Sequence, residues 1–386
     1  MSDAVESFRI QVSDDALDDL RRRLRSTRWP EAEPVDDWSQ GTPLSYVKEV
    51  CAYWAEKYDW RERERRLNAL PQFRTNIEGL GIHYYHVRSK HADALPIVIT
   101  HGWPGSVVEF QKVIAPLADP TAHGGDAADA FHVVCPSLPG YGFSDKPAAK
   151  GTGVERIADL WSALMLRLGY PRYLAQGGDW GAMVTTMIGI RDTAHCAGIH
   201  LNMPIVGPDP ATMNSLTPAE QSALAGMAEY GEWDSGYSKQ QSTRPQTLGY
   251  GLVDSPAGQA AWILEKFWKW TDCNGHPENA LTRDELLDNI MLYWLPATGA
   301  SSARLYWESF RPQSQGGLPN VTVPTGCSIF PKEIFRSSRR WAEKRFTNLV
   351  HWNELEKGGH FAAFEQPASF VNEVRACFRH MRGKRA

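Results

Sequence analysis

The chain has 386 residues, a formal net charge of −4 and 22 % charged side chains. That length accommodates two domains or one large α/β domain with an insertion, and it can bury a substantial core. The slight acidity argues against a general nucleic-acid binder, and no stretch approaches the run of about 18 apolar residues needed to span a membrane.

The N-terminal Ser2-Asp3-Ala4-Val5-Glu6-Ser7 has neither the basic nor the apolar region of a secretory leader. Six cysteines form no Cys-x-x-Cys pair, and several lie in apolar runs such as Val133-Val134-Cys135, so they read as buried free thiols of a reducing compartment. A cytoplasmic location follows. Residues 1–75 alternate helical patterns, at 14–24 and 44–58, with Trp- and Pro-rich connections. They carry too little apolar surface to stand alone, and Trp29, Trp38, Trp54 and Trp60 are expected to pack on the domain that follows. The basic runs 21–23 and 61–66 are mixed with acids at helical spacing and read as solvated helix faces.

From residue 77 the pattern changes. Short apolar runs at 82–87, 96–100, 131–136, 172–175 and 198–202 alternate with helical runs at 107–117, 154–168 and 182–191, which predicts a mostly parallel, covered sheet. Sites in such sheets form at the carboxyl ends of the strands. At one such end stands His101-Gly102-Trp103-Pro104-Gly105-Ser106, a turn that either aims a backbone N–H inward or is an ordinary Gly/Pro turn. At another, Gly140-x-Gly142 lacks the third glycine of a dinucleotide fingerprint.

Gly177-Gly178-Asp179-Trp180-Gly181 has the small-residue spacing of a nucleophile elbow, with Asp at the apex in place of Ser. A carboxylate, ionised at neutral pH, can displace a leaving group from saturated carbon and form an alkyl ester. The competing reading is that Asp179 only caps the following helix. Residues 204–310 lose the strand rhythm and become helical and aromatic, the pattern of a lid inserted into the α/β core. The rhythm returns at 323–330 and 348–352, and a last amphipathic helix covers 368–382. Phe330-Pro331-Lys332-Glu333 then offers a carboxylate at a strand end, and Lys357-Gly358-Gly359-His360-Phe361 a histidine in a glycine turn. The chain order nucleophile, acid, histidine is that of the α/β-hydrolases, although Glu354 and Glu356 also lie near His360 in sequence.

His101-Gly102-Trp103-Pro104, the Asp179 elbow, Glu333 and Gly358-Gly359-His360-Phe361 together resemble the motif set of the microsomal-type epoxide hydrolases. Trp29-Pro30, Trp38 and Trp54 resemble that family's N-terminal meander, so the likeness covers essentially the whole chain. The resemblance implies an α/β-hydrolase fold divided into a meander (1–75), a core (76–203 and 311–386) and a helical lid (204–310). It also implies no cofactor, and two lid tyrosines that hold the epoxide oxygen. Ser235-Gly236-Tyr237 and Ala303-Arg304-Leu305-Tyr306 match the two tyrosine motifs, which selects Tyr237 and Tyr306 over Tyr250 and Tyr293. No N-terminal anchor is visible, so the chain is similar to soluble, bacterial-type members, with no membrane partner.

The expected chemistry is hydrolysis of an epoxide to a vicinal diol through an ester on Asp179. His360 is the general base, Glu333 its orienting acid, and the Trp103 and Trp180 N–H groups form the oxyanion hole. A Trp-rich lid suggests a bulky or aromatic epoxide, met in detoxification or in natural-product tailoring. Two rivals share the fold: a dehalogenase using the same Asp with indole donors for halide, and a non-catalytic small-molecule binder. A homodimer is left open.

Overall fold

The computed structural model describes residues 4–310 and 319–382. Among them nine strands form a single sheet: β1 Glu6–Phe8, β2 Gln72–Ile77, β3 Leu80–Val87, β4 Leu95–Thr100, β5 Phe131–Pro136, β6 Tyr173–Gly177, β7 Cys196–Leu201, β8 Thr325–Ile329 and β9 Leu349–Glu354. The spatial order is β1-β2-β3-β5-β4-β6-β7-β8-β9. The pairs β1–β2, β2–β3 and β3–β5 are antiparallel, and every pair from β5–β4 to β8–β9 is parallel. This is the α/β-hydrolase architecture.

The central strands are buried on both faces and need continuous apolar sequence, which they have: Ile97, Val98 and Ile99 are fully buried. Helices cover them. The helix Val154–Arg167 buries Ile157, Leu160, Trp161 and Leu164, and Trp180–Arg191 is buried along most of its length. All six cysteines are buried and unpaired. No helix among the described residues is long and apolar enough to cross a membrane.

The antiparallel edge departs from expectation. β1 and most of β2 fall within the first 75 residues, which read as helices and connections. Gln72-Phe73-Arg74-Thr75-Asn76-Ile77 carries mostly polar side chains, and two of its three buried positions, Gln72 and Thr75, are polar, so it lacked the apolar signal of a strand. The helices of this region are Asp14–Arg25, Leu44–Glu56 and Trp60–Leu67.

Between β7 and β8 the described chain forms no strand of the sheet and builds a layer of helices over its carboxyl edge. Two of the four tryptophans of the N-terminal region are seen to pack on this layer: Trp38 stacks on Trp268 at 5.1 Å, and Trp54 Nε1 donates to Met291 Sδ. The lid helix Arg283–Trp294 is gripped on one side by the Tyr53 hydroxyl donating to Asp284 at 2.8 Å and the Tyr58 hydroxyl donating to Asp288 at 2.7 Å. Its other side holds the 101–106 turn, through Asn289 Nδ2 to the Pro104 carbonyl at 2.7 Å and Tyr293 Oη to the Gly105 carbonyl at 2.6 Å.

Candidate active site

Asp179 stands between the end of β6 and the helix Trp180–Arg191 with φ 50° and ψ −129°, a left-handed conformation strained for a side-chain-bearing residue. The surrounding glycines make the turn possible. A Cβ on Gly177 would lie 2.1 Å from the Gly181 carbonyl oxygen, and one on Gly181 would lie 1.9 Å from the Thr100 carbonyl oxygen. The Asp179 side chain makes no capping hydrogen bond to its helix. Instead, Oδ1 accepts the Trp103 backbone N–H at 2.7 Å, and Oδ2 lies 3.3 Å from His360 Nε2. Gly102 permits this approach, since a Cβ there would fall 2.0 Å from Oδ1.

On its far side the His360 ring meets Glu333, Nδ1 to Oε1 at 2.6 Å, with both side chains nearly inaccessible. The turn carrying His360 is tied down from several directions. Its N–H donates to the Trp270 carbonyl at 2.8 Å, and Glu365 accepts the N–H groups of Asp272, Gly359 and Phe361. Burial alone would disfavour an imidazolium, but the charge of Glu333 and the contacts to both carboxylates outweigh it and hold His360 well above the usual imidazole range. Glu354 is exposed and accepts from Trp352 Nε1, and Glu356 is exposed as well, so neither is oriented as Glu333 is.

Tyr237 and Tyr306 come from two lid helices, Gly236–Thr243 and Gly299–Ser309, and both are buried. The Tyr237 ring stacks on Trp103 at 4.9 Å, and the two tyrosine rings meet edge to face at 5.8 Å. With Asp179 they line an apolar pocket of about 140 Å³ whose wall includes Met183, Met203, Ile205 and Phe335. Burial pushes both phenols well above their ordinary value, which keeps them protonated donors. The alternatives separate cleanly: Tyr293 spends its hydroxyl on the Gly105 carbonyl, and Tyr250 is 69 % exposed.

The Trp180 ring lines the apolar pocket and meets Tyr306 at 4.7 Å, but the residue's backbone N–H, in the first turn of the helix, donates to none of the described side chains. The structure also adds residues that the sequence did not single out. The Tyr230 and Tyr237 hydroxyls are 2.9 Å apart, and Tyr230 borders the pocket. Buried Lys266 sits 4.6 Å from the Tyr237 ring centre and pairs with Asp234 at 3.1 Å. Glu109 shares a small second cavity with Asp179 and His360. Its spacing from Ser106, Ser-x-x-Glu, is that of a helix capping box, which is the ordinary reading of such a glutamate.

Known proteins are similar to this chain in both sequence and fold. The profile of the epoxide hydrolase N terminus matches residues 5–110, and that of the α/β-hydrolase fold matches residues 96–243. A Stigmatella aurantiaca protein, whose own assignment as an epoxide hydrolase is provisional, is 57 % identical over 98 % of this chain and 86 % of its own. Epoxide hydrolase 1 of Sus scrofa is 36 % identical over 97 % of this chain and 88 % of its own length. Among solved structures, the juvenile hormone epoxide hydrolase of Bombyx mori is similar at TM-score 0.90 and 33 % identity, covering 99 % of this chain and 95 % of that one. The chain belongs to the epoxide hydrolase family of α/β-hydrolases.

Proposed function

We propose that the protein hydrolyses an epoxide to a vicinal diol in two steps, with Asp179 as nucleophile, His360 as general base and Glu333 as its orienting acid. The observation that carries this reading is the bridged carboxylate: one oxygen of Asp179 lies at the Trp103 N–H and the other at His360, and Asp179 lines one apolar pocket with the two tyrosines. In the first step Oδ2 attacks an epoxide carbon, the carbon–oxygen bond of the ring breaks, and the freed oxygen takes its proton through the Tyr237–Tyr306 pair. Oδ1 is left as the ester carbonyl, beside the N–H that will steady its negative charge.

In the second step His360 takes a proton from water, and the water oxygen bonds to the Asp179 carbonyl carbon. The ester bond then breaks, the departing diol oxygen recovers that proton, and the water's second proton, left on the regenerated Asp179 carboxyl, makes good the one the tyrosine pair gave up in the first step. His360 is a poor base while protonated opposite ionised Asp179. Esterification removes that negative charge, and with it part of the support for the imidazolium, so the base is released when it is needed. The apolar wall suits a bulky or aromatic substituent on the epoxide. Six buried, unpaired thiols favour a cytoplasmic setting.

A single turnover in heavy-oxygen water tests the covalent route. The expected products are unlabelled diol and enzyme labelled at Asp179, whereas label in the diol after that one turnover rejects the ester. Halide release from a haloalkane, run beside diol detection, separates the dehalogenase reading.

A further inference from the structure

We propose that Glu109 is a positioning residue that holds the hydrolytic water against the Asp179 ester, a role that rests on the covalent reading above. Two cavities meet at Asp179, and Asp179 is the one residue common to their linings. The first is the apolar pocket. The second is a cavity of about 20 Å³, bordered by Asp179, His360, Glu109, Gly105, Gly178 and Asn202. A single water needs roughly 10–15 Å³ and two to four polar partners, so this space suits one water and excludes a substrate. It therefore brings together the carbon to be attacked and the base that activates the attacker, on a side the substrate does not occupy.

The other ionisable lining groups are His101 and Glu109, and both His101 ring nitrogens are engaged, Nδ1 at the Gly102 carbonyl and Nε2 at the Leu138 N–H. Glu109 is only 9 % exposed; its carboxyl accepts the Ser106 backbone N–H, and no described side chain hydrogen-bonds to it. Its position is specified by a neighbour's lack of a side chain: a Cβ on Gly105 would fall 1.5 Å from Glu109 Oε1. Burial, reinforced by the charge of Asp179 and opposed by that of His360, pushes the carboxyl up to about 8. At neutral pH it is mostly protonated, so it can donate and accept a hydrogen bond without setting a second negative charge beside Asp179. Glu109 neither gains nor loses a proton in the reaction. It fixes one side of the water while His360 takes the proton from the other.

The test separates the two chemical steps in Glu109→Met, Glu109→Gln and Gly105→Ala, with styrene oxide as probe. Acid quenching and intact mass follow the covalent adduct, and the burst amplitude counts folded sites. Expected are alkylation rates close to the parent, and ester hydrolysis about tenfold slower in Glu109→Met, the loss of roughly one hydrogen bond. Gly105→Ala should match it, because the new Cβ displaces the carboxyl. Glu109→Gln, which keeps a donor and an acceptor, should restore hydrolysis to near the parent rate. Equal slowing of both steps, an unchanged hydrolysis rate in Gly105→Ala, or a Gln variant as slow as the Met variant overturns the proposal. If no adduct forms in any variant, His360→Gln included, the covalent reading itself fails. An adduct that persists in His360→Gln beside parent-like hydrolysis in Glu109→Met rejects the role of Glu109 alone.

Discussion

His360 Nε2 lies 3.3 Å from Oδ2 of Asp179, so the charge on Asp179, together with that of Glu333, raises the basicity of the imidazole. Asp179→Asn removes that charge with little change in volume. The expected outcome is loss of diol formation, an intact fold, and a His360 pKa lower than in the parent, since one of the groups that raise it is gone. Titration of the His360 ring protons by NMR checks this, the signal being assigned by its disappearance in His360→Gln. An unchanged pKa would mean that Glu333 alone holds the imidazolium.

His360→Gln should open the epoxide and then stall, accumulating one substrate equivalent on the protein. Full turnover in that variant would assign the base elsewhere. Glu333→Gln keeps a hydrogen-bond acceptor within reach of Nδ1 but removes its charge, so it should slow ester hydrolysis less severely than loss of the ring. Glu354→Gln, on an exposed side chain, should leave both steps unchanged.

The Tyr237 and Tyr306 phenols are predicted to share one developing alkoxide. A single donor in a comparable oxyanion site is worth about 2.7–4 kcal/mol, and here the partner covers part of the loss. Each single Phe variant should therefore slow Asp179 alkylation by about tenfold, and the double variant by at least about a hundredfold more. Stopped-flow alkylation rates decide it. Parent-like alkylation in the double variant would reduce both tyrosines to packing residues.

Gly181→Ala tests the turn itself. Its Cβ would lie 1.9 Å from the Thr100 carbonyl oxygen, a backbone atom that cannot swing aside, and the expected destabilisation is about 3 kcal/mol. The control is Gly251→Ala, within the helix Pro245–Asp254, where a Cβ meets nothing within 4 Å. That change should be neutral or stabilise by up to about 1 kcal/mol. Urea unfolding of both variants provides the comparison; equal stabilities would show that the elbow tolerates a wider strand-to-helix turn.

The parallel core was legible because strands buried on two faces must be nearly continuously apolar, as β4 is from Leu95 to Ile99. The Asp179 turn was legible because its tight backbone approach accepts only small residues at fixed spacing. β2 was not, because an edge-side strand of mostly polar residues resembles a connection. Glu109 was hidden by a sequence context with a sufficient ordinary explanation, and only the fold brings it to the cavity it shares with His360. Tyr230 and Lys266 depend on contacts between separate helices, a relation that no local pattern encodes.

The helix Arg283–Trp294 acts as a crossbeam. Tyr53 and Tyr58 fasten it to the N-terminal segment on one side, while Asn289 and Tyr293 fasten the Trp103 turn to it on the other. A lid anchored this way cannot swing off as one rigid door without dragging the Trp103 N–H away from Asp179. Ligand traffic is therefore left to the opposite rim, where Ile205 and Phe310 border the pocket and are 41 % and 57 % exposed. The beam keeps the Trp103 turn fixed against Asp179, and the pocket wall reaches solvent at Ile205 and Phe310 instead.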